Sequence, residues 1–462
     1  DAKVIKLEQN YRSTKMILDS ANEVIRNNTG RKDKTLWTEN EVGERPVFRE
    51  FSSSFEEAEW IVRDIVKRGG PWKDYAILYR TNAQSRIFEE KCVAYNLPYR
   101  LVGGVNFYQR KEIKDVLCYL KTIANGRDDL AVQRIINVPK RGIGLTSINR
   151  VQEYASTREC SFYDALRAVD LIPNIGRGQA KLESFVAMIE HFKNDTEDMS
   201  VLELLEEVIK ETGYIDALIH ECESEEATSR IENIDELRNK IAAYEESCAL
   251  QNEAPTLGGF LEDVALVADI DSLDESTDYV VLMTLHSAKG LEFPVVFLVG
   301  MEDGIFPGHQ SMMDPQELEE ERRLCYVGIT RAKKKLYLSA AKRRMMQGRT
   351  QFNKVSRFID EIPEQLLQLD KGINLKEKRP DKALFSANRG HKFRKPYQAK
   401  SFTSTKMDTL SYSVGDMVKH IKFGKGKVLE IVPGGRDYEV TVDFEKVGVK
   451  KMFASFAKLV KC

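Results

Sequence analysis

Residues 280–340 constrain the fold more than any other stretch. Val280-Val281-Leu282-Met283-Thr284-Leu285 is an apolar run of strand length, and Pro294-Val295-Val296-Phe297-Leu298-Val299 is a second. β-Branched residues crowd both, as in strands buried on two faces of a parallel sheet. Between them, His286 to Phe293 is polar and charged and leaves the carboxyl end of the first strand. Open α/β sheets bind their ligands at that end. Asp314 as N-cap, Pro315 at the first helical position and acids in the opening turn predict a helix that runs through Ala332. Leu336-Tyr337-Leu338 then reads as a further strand.

The same alternation precedes this stretch. Lys3–Leu7 reads as a strand, with Gln9-Asn10-Tyr11-Arg12-Ser13 at its carboxyl end and Ser13 placed to cap a helix carrying Met16, Ile17, Ala21, Val24 and Ile25. Pro46–Phe51 and the buried run Tyr75–Tyr79 are strands on either side of an amphipathic helix from Ser54 to Lys67. Strands alternating with helices imply a parallel sheet with helices on its faces. After Val102-Gly103-Gly104 the pattern becomes helical from Glu112 to about Asp278. The expected fold is therefore α/β with an inserted all-α domain. Acids on the later inserted helices (Glu221, Glu223, Glu225, Glu226, Glu232, Asp235 and Glu236) read as a solvated face. Residues 371–410 hold eleven Lys/Arg against three Asp/Glu with few periodic apolar positions, the composition of a disordered basic linker. From Tyr412 to Lys461, short alternating strands with glycine turns predict a compact β-barrel.

Composition sets bounds on function. A formal net charge of -2 over 462 residues requires any nucleic-acid surface to be local. Seven scattered cysteines without a CxxC pair argue against a zinc site or a disulfide framework and fit a reducing cytosol. No apolar run reaches the roughly 20 residues of a membrane helix, and no signal peptide is visible.

Thr284–Pro294 and Glu319–Ala332 resemble motifs V and VI of the UvrD/Rep-type superfamily-one DNA helicases, and Gln9-Asn10-Tyr11-Arg12-Ser13 resembles motif IV. The resemblance covers nearly the whole chain. It implies a RecA-like parallel-sheet motor lobe in two parts (1–111 and 279–370), an inserted helical domain (112–278), the linker (371–410) and a small C-terminal Tudor-like β-barrel (411–462). It also implies ATP with Mg²⁺, hydrolysed between this lobe and an amino-terminal RecA-like lobe that carries the metal ligands. Arg331 and Arg12 are the catalytic arginines it points to, and a guanidinium forks well onto phosphate oxygens. Tyr11 would stack on adenine, Glu292 would accept from the ribose hydroxyl, and Gly290 belongs to the same nucleotide-binding set. Arg80, Thr81, Asn82, Thr284 and His286 fall on the path of single-stranded DNA. Lys140, Arg141, Gly142 and Gly144 match a glycine turn that grips duplex phosphates, giving contacts to single-/double-strand junctions. The terminal barrel implies docking on RNA polymerase, an inference by analogy.

Ordinary structural roles compete with these. Arg331 suits a helix C-terminus, Glu292 could pair with Lys289, and Arg80–Asn82 could be a capping turn. No GxxxxGK[ST] occurs in the sequence, and Glu302-Asp303, after an apolar strand, has the reversed order and wrong place for the Mg²⁺-binding acids of such a motor. The chain opens at Asp1 without Met. The expectation is thus the carboxyl-terminal portion of a cytoplasmic, nucleoid-associated 3′-to-5′ helicase, inactive alone. The alternative is a non-enzymatic fragment that binds DNA and RNA polymerase.

Overall fold

The computed structural model describes residues 8–29, 35–196, 198–270 and 278–370, and in the tail 412–420, 424–433, 438–444, 448–453 and 459–461. The strand expected over Lys3–Leu7 and the basic stretch 371–410 lie outside the described residues. The chain forms two compact units, Asp1–Ile373 and Asn374–Cys462.

Helix α1 (Lys15–Arg26) places Ile17, Leu18, Ala21, Val24 and Ile25 on one buried face. Ser13 does not cap it. Thr14 holds the cap position without a side-chain bond, and the buried Ser13 hydroxyl donates instead to the Ala332 carbonyl at 2.7 Å. Strand β1 (Val47–Phe51) leads to α2 (Ser54–Arg68), which Ser53 caps. Then follow β2 (Tyr75–Tyr79), α3 (Ser85–Ala94) and β3 (Tyr99–Val102).

The chain next runs through α4 (Lys111–Ala124), α5 (Asp129–Ile135), α6 (Leu145–Arg158), α7 (Phe162–Arg167), α8 (Gln179–Asp195), α9 (Val201–Thr212), α10 (Tyr214–Glu221), α11 (Ser224–Leu250) and α12 (Leu257–Ile270). It re-enters the sheet at β4 (Val280–Thr284) and continues through β5 (Phe293–Leu298), α13 (Pro315–Ile329) and β6 (Ala332–Ala341). A hairpin of β7 (Arg343–Met346) and β8 (Arg349–Phe352), helix α14 (Arg357–Asp360) and β9 (Gln368–Leu369) complete the first unit.

The main sheet has the order β3-β4-β2-β5-β6-β1-β9, and every pairing in it is parallel. Alternation along its central strands feeds two cores. Ala76, Leu78, Val281 and Met283 pack with α1 and α13, while Tyr75, Ile77, Val280 and Leu282 pack with α2 and α3. Because β3 and β4 are sheet neighbours, with Tyr99 opposite Val280, the helical segment departs from one strand and returns on the next. Its helices bury a separate core that includes Leu120, Phe162, Phe185, Phe192, Leu205 and Leu237.

The acids at and around the start of α11 divide. Glu221, Glu223, Glu225 and Glu226 are exposed, as read from the sequence. Glu232, Asp235 and Glu236 correct that reading, because they face cationic or polar partners rather than solvent. Glu236 takes the wholly buried Arg86 of α3 at 2.7 Å, and Asp235 pairs with Arg238 and with Gln347 of the hairpin turn. Glu232 is half-buried beside Arg80 and Thr81; burial raises its carboxyl pKa, against the opposing effect of Arg80.

The hairpin turns through Gln347 and Gly348, both at positive φ, the geometry of a two-residue β-turn. Gly348 N–H donates to Asn239 of α11 at 2.8 Å, so the hairpin braces the inserted helices. At its base Arg344 lies between two buried carboxylates, 2.6 Å from Glu302 and 2.7 Å from Glu57. Burial alone would lower the Arg344 pKa; Glu302 and Glu57 outweigh it and raise it. Glu302 also accepts from Ala341 N–H and Asn353, and Glu57 from Ser339 and Gly300 N–H. Asp303, the other acid beyond β5, pairs with Arg357 at 3.1 Å, so both acids there are held in structural contacts.

The second unit is an antiparallel sheet of β10 (Met417–His420), β11 (Gly424–Pro433), β12 (Tyr438–Phe444), β13 (Gly448–Phe453) and β14 (Val460–Lys461), in the order β13-β12-β11-β10-β14. Val418, Val428, Val440, Val442 and Phe444 form its core.

Replacing Arg344 by Met would strand two carboxylates in the core. Arg344→Met is expected to destabilise the first unit by about 3–5 kcal/mol, the usual cost of breaking a buried ion pair from one side. Urea unfolding checks it; a loss below about 1 kcal/mol would show that the cluster is solvated.

Candidate functional site

A parallel sheet has two chemically distinct edges, and most of the residues singled out from the sequence separate onto them. Segment 285–292 leaves β4 at the carboxyl edge, where Leu285 N–H bonds the Tyr79 carbonyl at 2.9 Å. It ends at the amino edge, where Phe293 N–H bonds the Arg331 carbonyl at 2.9 Å. The expectation that this loop presents its ligand at the carboxyl edge is thus corrected for its second half. β4 and β5 run in the same direction, so the connection must carry Gly290 and Glu292 back to the opposite edge. Gly290 sits at φ +90, a conformation that favours glycine.

At the amino edge Arg12, Glu292, Arg331 and Lys333 meet. Asn10 Oδ1 accepts from Arg12 N–H at 2.8 Å and Ser13 N–H at 2.9 Å, shaping the turn before α1. Thr14 N–H bonds the Lys333 carbonyl at 3.0 Å and fixes that turn to β6. Arg12 Nε donates to Glu292 Oε2 at 2.5 Å and Nη1 to the Thr330 carbonyl at 3.1 Å. Lys333 Nζ, not Lys289, takes the other carboxylate oxygen, Glu292 Oε1, at 2.7 Å. Lys333 and Arg12 together hold the Glu292 carboxyl down to about 2.

Arg331 is buried and donates to the Val327 carbonyl at 2.9 Å, the Leu291 carbonyl at 3.0 Å and Thr330 Oγ1 at 3.1 Å. Burial first, and then the nearby Arg12 charge, bring its pKa down to about 10. Arg12 and Arg331 thus share Thr330 as a hydrogen-bond partner and repel each other across it. Gly328 lets α13 approach the sheet closely, since a Cβ would stand 2.5 Å from Leu285 Cδ2. Tyr11, 78 % exposed, has a ring free to stack.

At the carboxyl edge Arg80 pairs with Glu321 of α13 at 2.7 Å. Thr81 and Gln84 form a capping box over residues 82–84, so the capping role weighed for this turn is present. Asn82 offers its carbonyl to Arg110 at 3.2 Å. His286 lies at the surface, its pKa lowered by partial burial and by Arg80. Thr284 is buried; its hydroxyl donates to Ser287 Oγ at 3.1 Å and shapes the turn instead of facing outward.

In the inserted helices Lys140, Gly142 and Gly144 are exposed. Gly142 has φ +68, and its carbonyl accepts from Lys181 at 2.8 Å. Arg141 departs from the expected phosphate contact. Its guanidinium turns inward to the Ile135 carbonyl at 2.9 Å and the Val138 carbonyl at 3.2 Å, and lies over the rings of Tyr119 and Phe185. Carbonyls left over at the end of α5 need donors, and Arg141 supplies them.

The sequence reading missed Lys333, Glu321 and Glu232. Lys333 carried a weak signal, lying two residues beyond Arg331. Nothing local marked the two acids as partners of Arg80.

Residues 5–343 match the model of the UvrD-like helicase C-terminal domain, and residues 414–461 that of the PcrA/UvrD tudor domain. The chain belongs to the UvrD-like helicase family. Among its relatives is the ATP-dependent DNA helicase PcrA of Bacillus subtilis (strain 168), 46% identical over 474 residues that take in 100% of this chain and 63% of that protein. PcrA proteins of Staphylococcus epidermidis (ATCC 12228) and Staphylococcus aureus (NCTC 8325) are each 44% identical over 468 residues, which cover 100% of this chain and 62% of theirs. The chain thus spans 62 to 63% of the length of these relatives. Among the described residues, no helix is long and apolar enough to cross a membrane.

The Glu292 contacts set a pH window. A carboxyl held to about 2 stays ionised when an unperturbed one takes up a proton. The stabilisation from Arg12 and Lys333 is present above the ordinary carboxylate pKa and is lost as pH falls through the lowered one. A carboxyl-detected NMR titration should place the Glu292 midpoint near 2. A midpoint near the ordinary value of about 4.3 would mean that the cluster is open in solution.

Proposed function

We propose that this chain supplies the second motor lobe, the inserted helical domain and the tail of an ATP-dependent 3′-to-5′ DNA helicase. One observation carries the reading: two guanidinium groups from separate segments, Arg12 and Arg331, meet at Thr330 on one edge of one sheet. Lys333 answers the single carboxylate there, Glu292, so the two guanidinium groups of Arg12 and Arg331 stand in surplus. Such a surplus suits a polyanion, and the exposed Tyr11 ring offers a stacking face for a base.

ATP with Mg²⁺ would supply the phosphoanhydride bond, with the phosphate loop and the metal ligands on a partner lobe. Arg331 and Arg12 would donate to the γ-phosphate oxygens as charge develops there, the role of an arginine finger. Their present acceptors are mostly backbone carbonyls, which a phosphate can outcompete for a guanidinium. Glu292 would accept from the ribose hydroxyl. At the other edge Arg80, Asn82 and His286 would meet the single-stranded backbone, while Lys140 and the Gly142–Gly144 turn would meet duplex phosphates. Opening and closing of the lobes would move the strand past these contacts. The terminal module would dock on RNA polymerase.

In a protein joining this chain to a lobe with a phosphate loop, Arg331→Ala is expected to lower DNA-stimulated ATP turnover about 10³-fold or more, the scale of a lost arginine finger. DNA affinity should be retained. Unchanged turnover would refute the assignment. Lys140→Ala is expected to weaken junction binding and reduce the salt slope by about one counterion. Arg141→Ala should instead lower the unfolding midpoint of the inserted helices, because its carbonyl partners lose their donor.

A further inference from the structure

We propose that Lys333 is a positioning residue that holds the Glu292 carboxylate in place when Arg12 leaves it for the nucleotide. The proposal rests on the nucleotide-site reading above and adds a residue to it.

The contacts divide one carboxylate between two cations. Arg12 Nε occupies Oε2 at 2.5 Å, and Lys333 Nζ occupies Oε1 at 2.7 Å. Arg12 cannot keep the same Nε bond and also turn its full fork onto a phosphate. Its departure would leave Glu292 with unanswered charge beside an incoming polyanion, and that repulsion would oppose binding. Lys333 removes the difficulty, because its Nζ bond is on the other oxygen and does not depend on Arg12.

The lysine is well placed to stay. It lies on β6, and its own carbonyl anchors Thr14 N–H at 3.0 Å, so the strand that carries it also fixes the turn bearing Arg12. The next residue towards the amino terminus, Ala332, is fully buried and takes the Ser13 hydroxyl at 2.7 Å. Lys333 is thus rooted in the sheet, whereas Arg12 stands on a turn and can exchange partners. With Lys333 present, Arg12 shares its acceptor and is the easier of the two to draw away. Without it, Arg12 and Glu292 become a closed pair, and ATP must break that pair to recruit the arginine.

The test is a double-mutant cycle on steady-state ATP turnover in the two-lobe protein, with DNA saturating. Lys333→Ala is expected to raise KM for ATP about 2- to 5-fold, the scale of an exposed ion pair, with kcat within about 2-fold. Lys333→Arg should restore KM. In a Glu292→Gln background, Lys333→Ala should have no further effect, because the carboxylate it serves is gone. An unchanged KM, or an effect of equal size in the Glu292→Gln background, would overturn the proposal. If the unsubstituted two-lobe protein does not hydrolyse ATP, the motor reading itself fails. NMR titration of Glu292 in this chain then decides the lysine's hold alone: Lys333→Ala must move the midpoint upward, and a midpoint that does not move refutes it.

Discussion

Everything at the two edges of the main sheet depends on one connection. β4 and β5 are parallel, and both pair with β2 between them. The chain must therefore travel from the carboxyl edge back to the amino edge between Thr284 and Phe293. Parallel crossovers usually need a dozen or more residues and often a helix. Here residues 285–292 do it, pinned at one end to Tyr79 and at the other to Arg331. The same short segment starts beside Arg80 and His286 and finishes at Glu292. A connection with so little slack makes the Arg80 end and the Glu292 end two ends of one tether.

Charge is used in two ways in the first unit, and the difference is whether the pairing closes on itself. Arg344 is enclosed by Glu57 and Glu302, whose remaining oxygens are met by backbone and side-chain donors. That cluster locks the hairpin to the sheet. At the amino edge the account does not close. Arg12, Arg331 and Lys333 outnumber Glu292, and burial, reinforced by the neighbouring Arg12 charge, lowers the Arg331 pKa. The cluster at this edge carries more positive than negative charge among its own members.

The inserted helices are tied to the sheet by polar contacts of the same closed kind. Arg86 reaches Glu236, Arg110 reaches Asn233 at 2.6 Å, and Gly348 reaches Asn239. All three partners are on α11, which was read as carrying a solvated acidic face. A helix can show acids at regular spacing for either reason, and only the neighbour across the gap distinguishes them.

The sequence alone determined the parallel sheet, the helical insertion, the start of α13 at Asp314 and Pro315, and singled out Arg12, Glu292 and Arg331, which meet at the amino edge. Those are local matters of hydrophobic period, capping chemistry and motif. It did not show β3, four residues long, or the β7–β8 hairpin, whose charged strands lack an apolar alternation and are held by Arg344 and α11. Nor could it say that Arg141 turns inward, that Lys333 shares Glu292 with Arg12, or that Glu292 lies on the edge opposite Thr284. A charged side chain takes the partner that packing brings within hydrogen-bond reach, and which edge a loop ends on follows from strand direction. Both are properties of the assembled fold rather than of any local stretch of chain.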